Sequence, residues 1–131
     1  MLHMKPFALC LFGASLIAAS PAALSAEQIL GQGTFAGKSG HETSGSVSII
    51  KTAQGIEVRL GSNFKLDGAP GPYLGFGNKG KYDASTQFSK LGSNNGAQVY
   101  KVPAKINAAG YKEIYVWCKP FNVPLGVAKL K

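Results

Sequence analysis

The sequence predicts an all-β fold, a single-domain antiparallel β-sandwich or flattened barrel of about seven to eight short strands following an N-terminal signal peptide. Three observations predict it. Beyond Ala26 no segment sustains the apolar period of about 3.6 residues that marks a helix. Short runs instead alternate apolar and polar side chains, and turns rich in glycine and proline separate them, in a chain that holds 17 Gly and 7 Pro.

The first 26 residues have the layout of an export signal. Lys5 and the amino terminus supply the positive end, an apolar run from Phe7 to Ala19 follows, and Pro21 to Ala26 ends in small residues. Cleavage after Ala26 leaves residues 27–131 as the β domain and removes Cys10 with the apolar run. No later run approaches the roughly 20 apolar residues that a membrane span requires, so no transmembrane segment is expected after cleavage. The expected location is periplasmic or secreted.

Gly33 to Gly37 reads as a first short strand, and Lys38 to Ser44 as a polar link carrying His41. Gly45 to Thr52 alternates Val47 and Ile49 against serines, Gln54-Gly55 turns the chain, and Ile56, Val58 and Leu60 then share one face opposite Glu57 and Arg59. That is a hairpin with one wet side. Asp67 to Pro72 is too rich in glycine and proline for a regular ladder, and Tyr73 to Phe76 reads as a fourth strand. Gly77 to Ser89 is polar, a long loop or an irregular edge. Asn94-Asn95-Gly96 signals a tight turn, from which Ala97 to Pro103 leaves as a strand.

Ile106 to Gly110 makes a crossing with a single helical turn. In Lys112 to Cys118, Ile114, Val116 and Cys118 share one side while Tyr115 and Trp117 take the other, so this strand belongs in mid-sheet, covered on both sides. Phe121 to Leu130 closes the domain, with Pro120 and Pro124 keeping its first half at an edge.

Charge and composition limit the function. The formal charge of +8 becomes +7 when Lys5 leaves, and it is carried by scattered lysines with no basic run. Such a surface draws a domain towards anionic envelope components or an acidic partner protein. Nucleic acid is excluded as a partner by the single arginine, the absence of a recognition helix and the compartment. After cleavage one histidine, one cysteine and no methionine remain. That set is too small for a blue-copper or tetrahedral zinc centre, and without C-x-x-C-H there is no covalent haem attachment. A non-covalent group held by Cys118, by His41 or by both stays open.

Two glycine patterns imitate phosphate sites. Gly75-Phe-Gly77-Asn-Lys-Gly80 matches G-x-G-x-x-G, but no helix follows and Tyr100 stands where an acidic residue is needed. Gly37-Lys38-Ser39 resembles the end of a P-loop, but Gln32 occupies the position of its first glycine. Both are read as turn glycines.

Cys118 is the residue with chemistry to explain. Exported proteins normally pair their thiols, and here one is left single at a strand end, beside Lys119 and just before Pro120. Either it is a small hydrophobe in the core, as its parity with Ile114 and Val116 allows, or it is a redox thiol whose thiolate Lys119 favours and whose sulfur Trp117 shields. His41 is either an exposed turn histidine or a ligand.

The stations Gly33-Thr-Phe35, His41 to Gly45, Leu60 to Phe64, Leu91-Gly92, Gln98 to Pro103 and, most specifically, Val116-Trp117-Cys118-Lys119-Pro120-Phe121 through Leu130 resemble the DM-thirteen domain family. The resemblance implies a β-rich exported domain of electron-transfer type. Its family cysteine, matched by Cys118, would act as a bare thiol or as ligand to a group such as haem, with no cofactor required. One departure is Ala69-Pro70-Gly71-Pro72-Tyr73, where relatives carry an acidic residue before the tyrosine. The expected function is therefore an exported redox domain working through Cys118 with a redox partner protein, an electron-transfer or binding domain more than a stand-alone enzyme. The rival is a non-catalytic module docking on anionic envelope polymer or an exported protein, with Cys118 as core packing.

Overall fold

The structure, a computed structural model, describes residues 26–131. The expected signal segment up to Ser25, with Cys10, lies outside the described residues. Within them the strands are β1 (Gln28–Gly37), β2 (Thr43–Ser44), β3 (Ser46–Thr52), β4 (Gly55–Leu60), β5 (Lys65–Leu66), β6 (Pro72–Asn78), β7 (Lys81–Tyr82), β8 (Ser89–Lys90), β9 (Gln98–Lys101), β10 (Glu113–Cys118) and β11 (Val123–Lys129). Seven of these have four or more residues and four have two, and the only helical turns among the described residues are two short 3-10 turns, Ala84–Thr86 and Ala108–Gly110. The fold is all-β, as the alternating pattern predicts.

Nine strands form one antiparallel sheet in the order β7-β6-β10-β11-β1-β3-β4-β9, with β8 added to β6, and the β2–β5 pair is apart from it. The sheet curls into a half-barrel. Its two halves face each other across a single core, to which β1, β3 and β4 contribute Phe35, Val47, Ile49, Val58 and Leu60, and β6, β10 and β11 contribute Leu74, Phe76, Ile114, Val116 and Leu125. Each fully buried aliphatic side chain of this kind stabilises the fold by about 1.5–3 kcal/mol.

One expectation is corrected and two hold. First, β1 begins at Gln28 and not at Gly33, because Gln28 and Ile29 pair with Lys51 and Ile50 before the register shifts at Leu30. Its first part bonds to β3 and its last residues, Phe35 to Gly37, bond to β11. Second, β11 lies between β10 and β1, but only Gly126 to Ala128 pair with β1, so its first half, with Pro124, has a ladder partner in β10 alone and stands at an edge as expected. The register shifts so that Val116 faces Gly126 while Trp117 faces Pro124, and such a bulge accommodates the missing proline N–H. The bypassed Leu125 carbonyl accepts bonds from Lys38 N–H at 2.9 Å and from Thr43 Oγ1 at 2.8 Å. Third, the segment expected as a loop or an irregular edge is an irregular edge: it holds β7, a 3-10 turn and β8, which fold back onto β6 at the end of the sheet.

Candidate functional site

Of the residues singled out in the sequence, Trp117, Cys118 and Lys119 lie at the end of β10, while His41 stands apart in the link between β1 and β2. β10 lies between β6 and β11 and alternates sides, so Ile114, Val116 and Cys118 enter the core while Glu113, Tyr115 and Trp117 stand on the outer surface of the sheet.

Cys118 is the last residue of β10, opposite Pro72 of β6 and Val123 of β11. It is 2% exposed, and its S–H donates to the Pro70 carbonyl at 3.2 Å. Pro70 belongs to the Asp67–Gly71 connection between β5 and β6. That connection is tied down beyond the cysteine by the Lys119 N–H, which donates to Gly71 O at 3.1 Å. Gly71 has φ +56, and a side chain there would stand 2.7 Å from Pro120 Cδ, so the turn over the sulfur requires glycine.

The other expected site residues are placed differently from the thiol. Trp117 turns to the outer side and donates its Nε1–H to Asn122 Oδ1 at 3.2 Å, so the Pro70 carbonyl, not the indole, covers the sulfur. The Lys119 ammonium lies 5.0 Å from the centre of the Tyr73 ring. Tyr73 is the cross-strand partner of Trp117 and shares its side of the sheet. His41 Nδ1 pairs with Asp67 Oδ1 at 3.0 Å, and Glu42 N–H donates to Asp67 Oδ2 at 2.9 Å. Asp67 is held below the usual carboxylate range by that N–H first and by His41 second. His41 and Cys118 therefore touch opposite ends of the Asp67–Gly71 connection, and among the described residues no hydrogen bond joins them.

The outer side of β10 carries a constellation that the sequence reasoning left out of the site. Tyr82 of β7 stacks on Trp117 with ring centres 4.1 Å apart at 8°, and Tyr115 meets both rings edge-on at 5.3 Å and 6.1 Å. Gly75 and Gly77 make room for them. A methyl group at Gly75 would stand 2.7 Å from Tyr82 Cε1, and one at Gly77 would stand 2.7 Å from Tyr115 Cε1. These two glycines lie inside β6, not in a turn, which corrects the reading of that pattern; Gly80, with φ +78, does lie in the β6–β7 turn. Gly80 N–H donates to both oxygens of Glu113 at 3.0 Å, and Tyr115 Oη–H donates to Glu113 Oε1 at 2.9 Å. Glu113 is 5% exposed and Tyr115 4% exposed, and the Tyr115 phenol is pushed up to about 12 by burial first and by Glu113 second. Burial, with Asp83 adding to it, also raises the Tyr82 phenol. The available signal was parity: in a strand, Glu113 shares the side of Tyr115 and Trp117.

Haem and metal can be tested against this geometry. An axial thiolate needs an open slot beside the sulfur. Cys118 is closed over by Pro70 and is 2% exposed. As arranged, these residues do not fit a haem. Among the described residues no group of three His, Cys, Asp or Glu is placed to hold a metal ion.

Residues 34–130 match the family model described as electron transfer DM13. Comparison with curated proteins and with solved structures gave no match. With nearly the whole β domain covered, from within β1 to the residue after β11, the chain belongs to the electron transfer DM13 family, and that membership supports a general redox or electron-transfer role.

Proposed function

We propose that the protein is an exported redox domain in which Cys118 is the working thiol and the Asp67–Gly71 connection is its cover. The observation that carries the reading is the S–H···O bond from Cys118 to Pro70, which sets the sulfur at the end of β10 beneath a loop instead of beneath another strand. Gly68 and Gly71 both have positive φ, and displacement of this loop bares the sulfur without breaking the ladders of β10. Family membership and the single thiol among the described residues support the same reading.

In this scheme the exposed thiol loses its proton to water, and the thiolate attacks one sulfur of a partner's disulfide. The partner's other sulfur leaves as a thiolate, giving a mixed disulfide that a second partner thiol can reverse. The bare thiol is preferred to haem ligation because the closed geometry leaves no slot for the macrocycle.

The test is the rate at which a small disulfide reagent modifies Cys118 in the folded protein, compared with the rate of global unfolding measured in parallel. Modification at least about 100-fold faster than unfolding is expected from local loop opening. Modification no faster than unfolding would remove the thiol role.

A second reading is favoured by the 2% exposure of Cys118 and its place in the core. It makes the domain a binding module for anionic envelope polymer, with Cys118 as packing. Cys118→Ala then keeps all binding and loses only stability.

A further inference from the structure

Glu113 is the only charged residue that is buried among the described residues, and the proposed thiol chemistry does not use it. A buried carboxylate is costly unless its oxygens are satisfied, and here the satisfaction is specialised. One partner is a turn N–H, the other a buried phenol, and that phenol abuts a two-ring stack whose members, Trp117 and Tyr82, are part-exposed. The pattern Gly75-x-Gly77-x-x-Gly80 serves this constellation at all three positions. Gly75 admits the Tyr82 ring, Gly77 admits the Tyr115 ring, and Gly80 donates to the carboxylate.

We propose that Trp117, Tyr82, Tyr115 and Glu113 form a one-electron relay that quenches oxygen-centred radicals, with the indole–phenol stack as the surface port and the Tyr115–Glu113 pair as the proton-coupled terminus. A peroxyl radical at the surface takes one electron from Trp117 and one proton from water and leaves as a hydroperoxide. The tryptophan radical cation is refilled by an electron from Tyr115, directly or through Tyr82. In the same event the Tyr115 phenolic proton moves to Glu113 Oε1, across the 2.9 Å bond already present. The products are neutral Trp117, a neutral tyrosyl radical and a protonated Glu113. An enediolate reductant then returns one electron and releases its own proton to water, Glu113 gives its proton back, and the starting state is restored.

The carboxylate is what makes Tyr115 the terminus. Oxidation makes a phenol a far stronger acid than a carboxylic acid, so the proton must leave with the electron, and a bonded base spares the cost of forming a buried cation. The raised phenol keeps Tyr115 protonated until that moment. The relay needs neither Cys118 nor a bound cofactor, so it stands or falls apart from the thiol reading.

The experiment withdraws one electron from the purified protein with a flash-generated ruthenium(III) polypyridyl oxidant and follows transient absorption and electron paramagnetic resonance. A tryptophan radical that decays into a tyrosyl radical, more slowly in deuterated water, is expected. Glu113→Gln keeps an oxygen acceptor for Gly80 and Tyr115 but cannot take the proton, and it should slow tyrosyl formation at least about 100-fold. Tyr115→Phe, which keeps the ring and loses only the hydroxyl, should do the same. Cys118→Ser should leave the kinetics unchanged. Wild-type rates in either Glu113→Gln or Tyr115→Phe would overturn the relay, and loss of the tyrosyl signal in Cys118→Ser would overturn its independence from the thiol.

Discussion

The two sides of β10 are held in different ways. On the inner side Ile114, Val116 and Cys118 enter an apolar core shared by both halves of the sheet. On the outer side Glu113, Tyr115 and Trp117 meet the Tyr82 ring, a turn N–H and one another. Burial of area is non-directional, so the inner side accepts a thiol as one more small apolar group. The outer side depends on partners at fixed places, so each neighbour is needed where it stands. A thiol can therefore occupy the core with a single bond to a loop carbonyl, whereas a buried carboxylate requires a set of donors built for it.

The sharpest way to break this comparison is to damage each side once. Ile114→Ala on the inner side should cost about 4 kcal/mol in denaturant unfolding, because a fully buried side chain leaves a cavity, and a cost below about 1 kcal/mol would mean that the core does not close over β10. Gly77→Ala on the outer side should cost about 3 kcal/mol, since the new methyl group meets both the Lys81 carbonyl oxygen and the Tyr115 ring. It should also disturb the near-ultraviolet circular dichroism of the aromatic cluster. A neutral result would show that the rings are not set by the glycine floor.

The smallest effect is one of pH and acts on the outer side alone. Burial and Glu113 push the Tyr115 phenol from 10.0 up to about 12, so the folded state holds this proton more tightly than the unfolded chain. Its contribution to stability is fully present below about pH 10 and is lost as pH rises through about 12. Wild-type stability should accordingly fall more steeply over that window than that of Tyr115→Phe, as urea unfolding at stepped pH would record. Parallel slopes would remove the linkage.

Much of the fold was legible because it follows from period and turn chemistry. The β3–β4 hairpin is read from Val47, Ile49, Val58 and Leu60 around Gly55, and the mid-sheet position of β10 from a strand with few polar residues. What was not legible depends on contacts distant in sequence. Pro124 argued for an edge, and the first half of β11 does lack a β1 partner, but the register shift opposite Trp117 that lets the second half turn inward left no signal. The two-residue β2–β5 ladder is too short to leave a pattern. At the site, parity placed Cys118 inward, but the covering carbonyl of Pro70 is 48 residues away in the chain. The role of Gly75 and Gly77 depends on the rings of Tyr82 and Tyr115, and no local rule joins a strand glycine to a phenol on a neighbouring strand.

The adjacency of β1 and β11 also sets the order of events when the protein is made. Phe35 pairs with Ala128, and Gln32 exchanges backbone bonds with Lys131, so the earliest strand to leave a ribosome must wait for the last before the sheet can close. Pairing over such separations is slow. The seam between the first and last strands is therefore the final ladder the chain can complete.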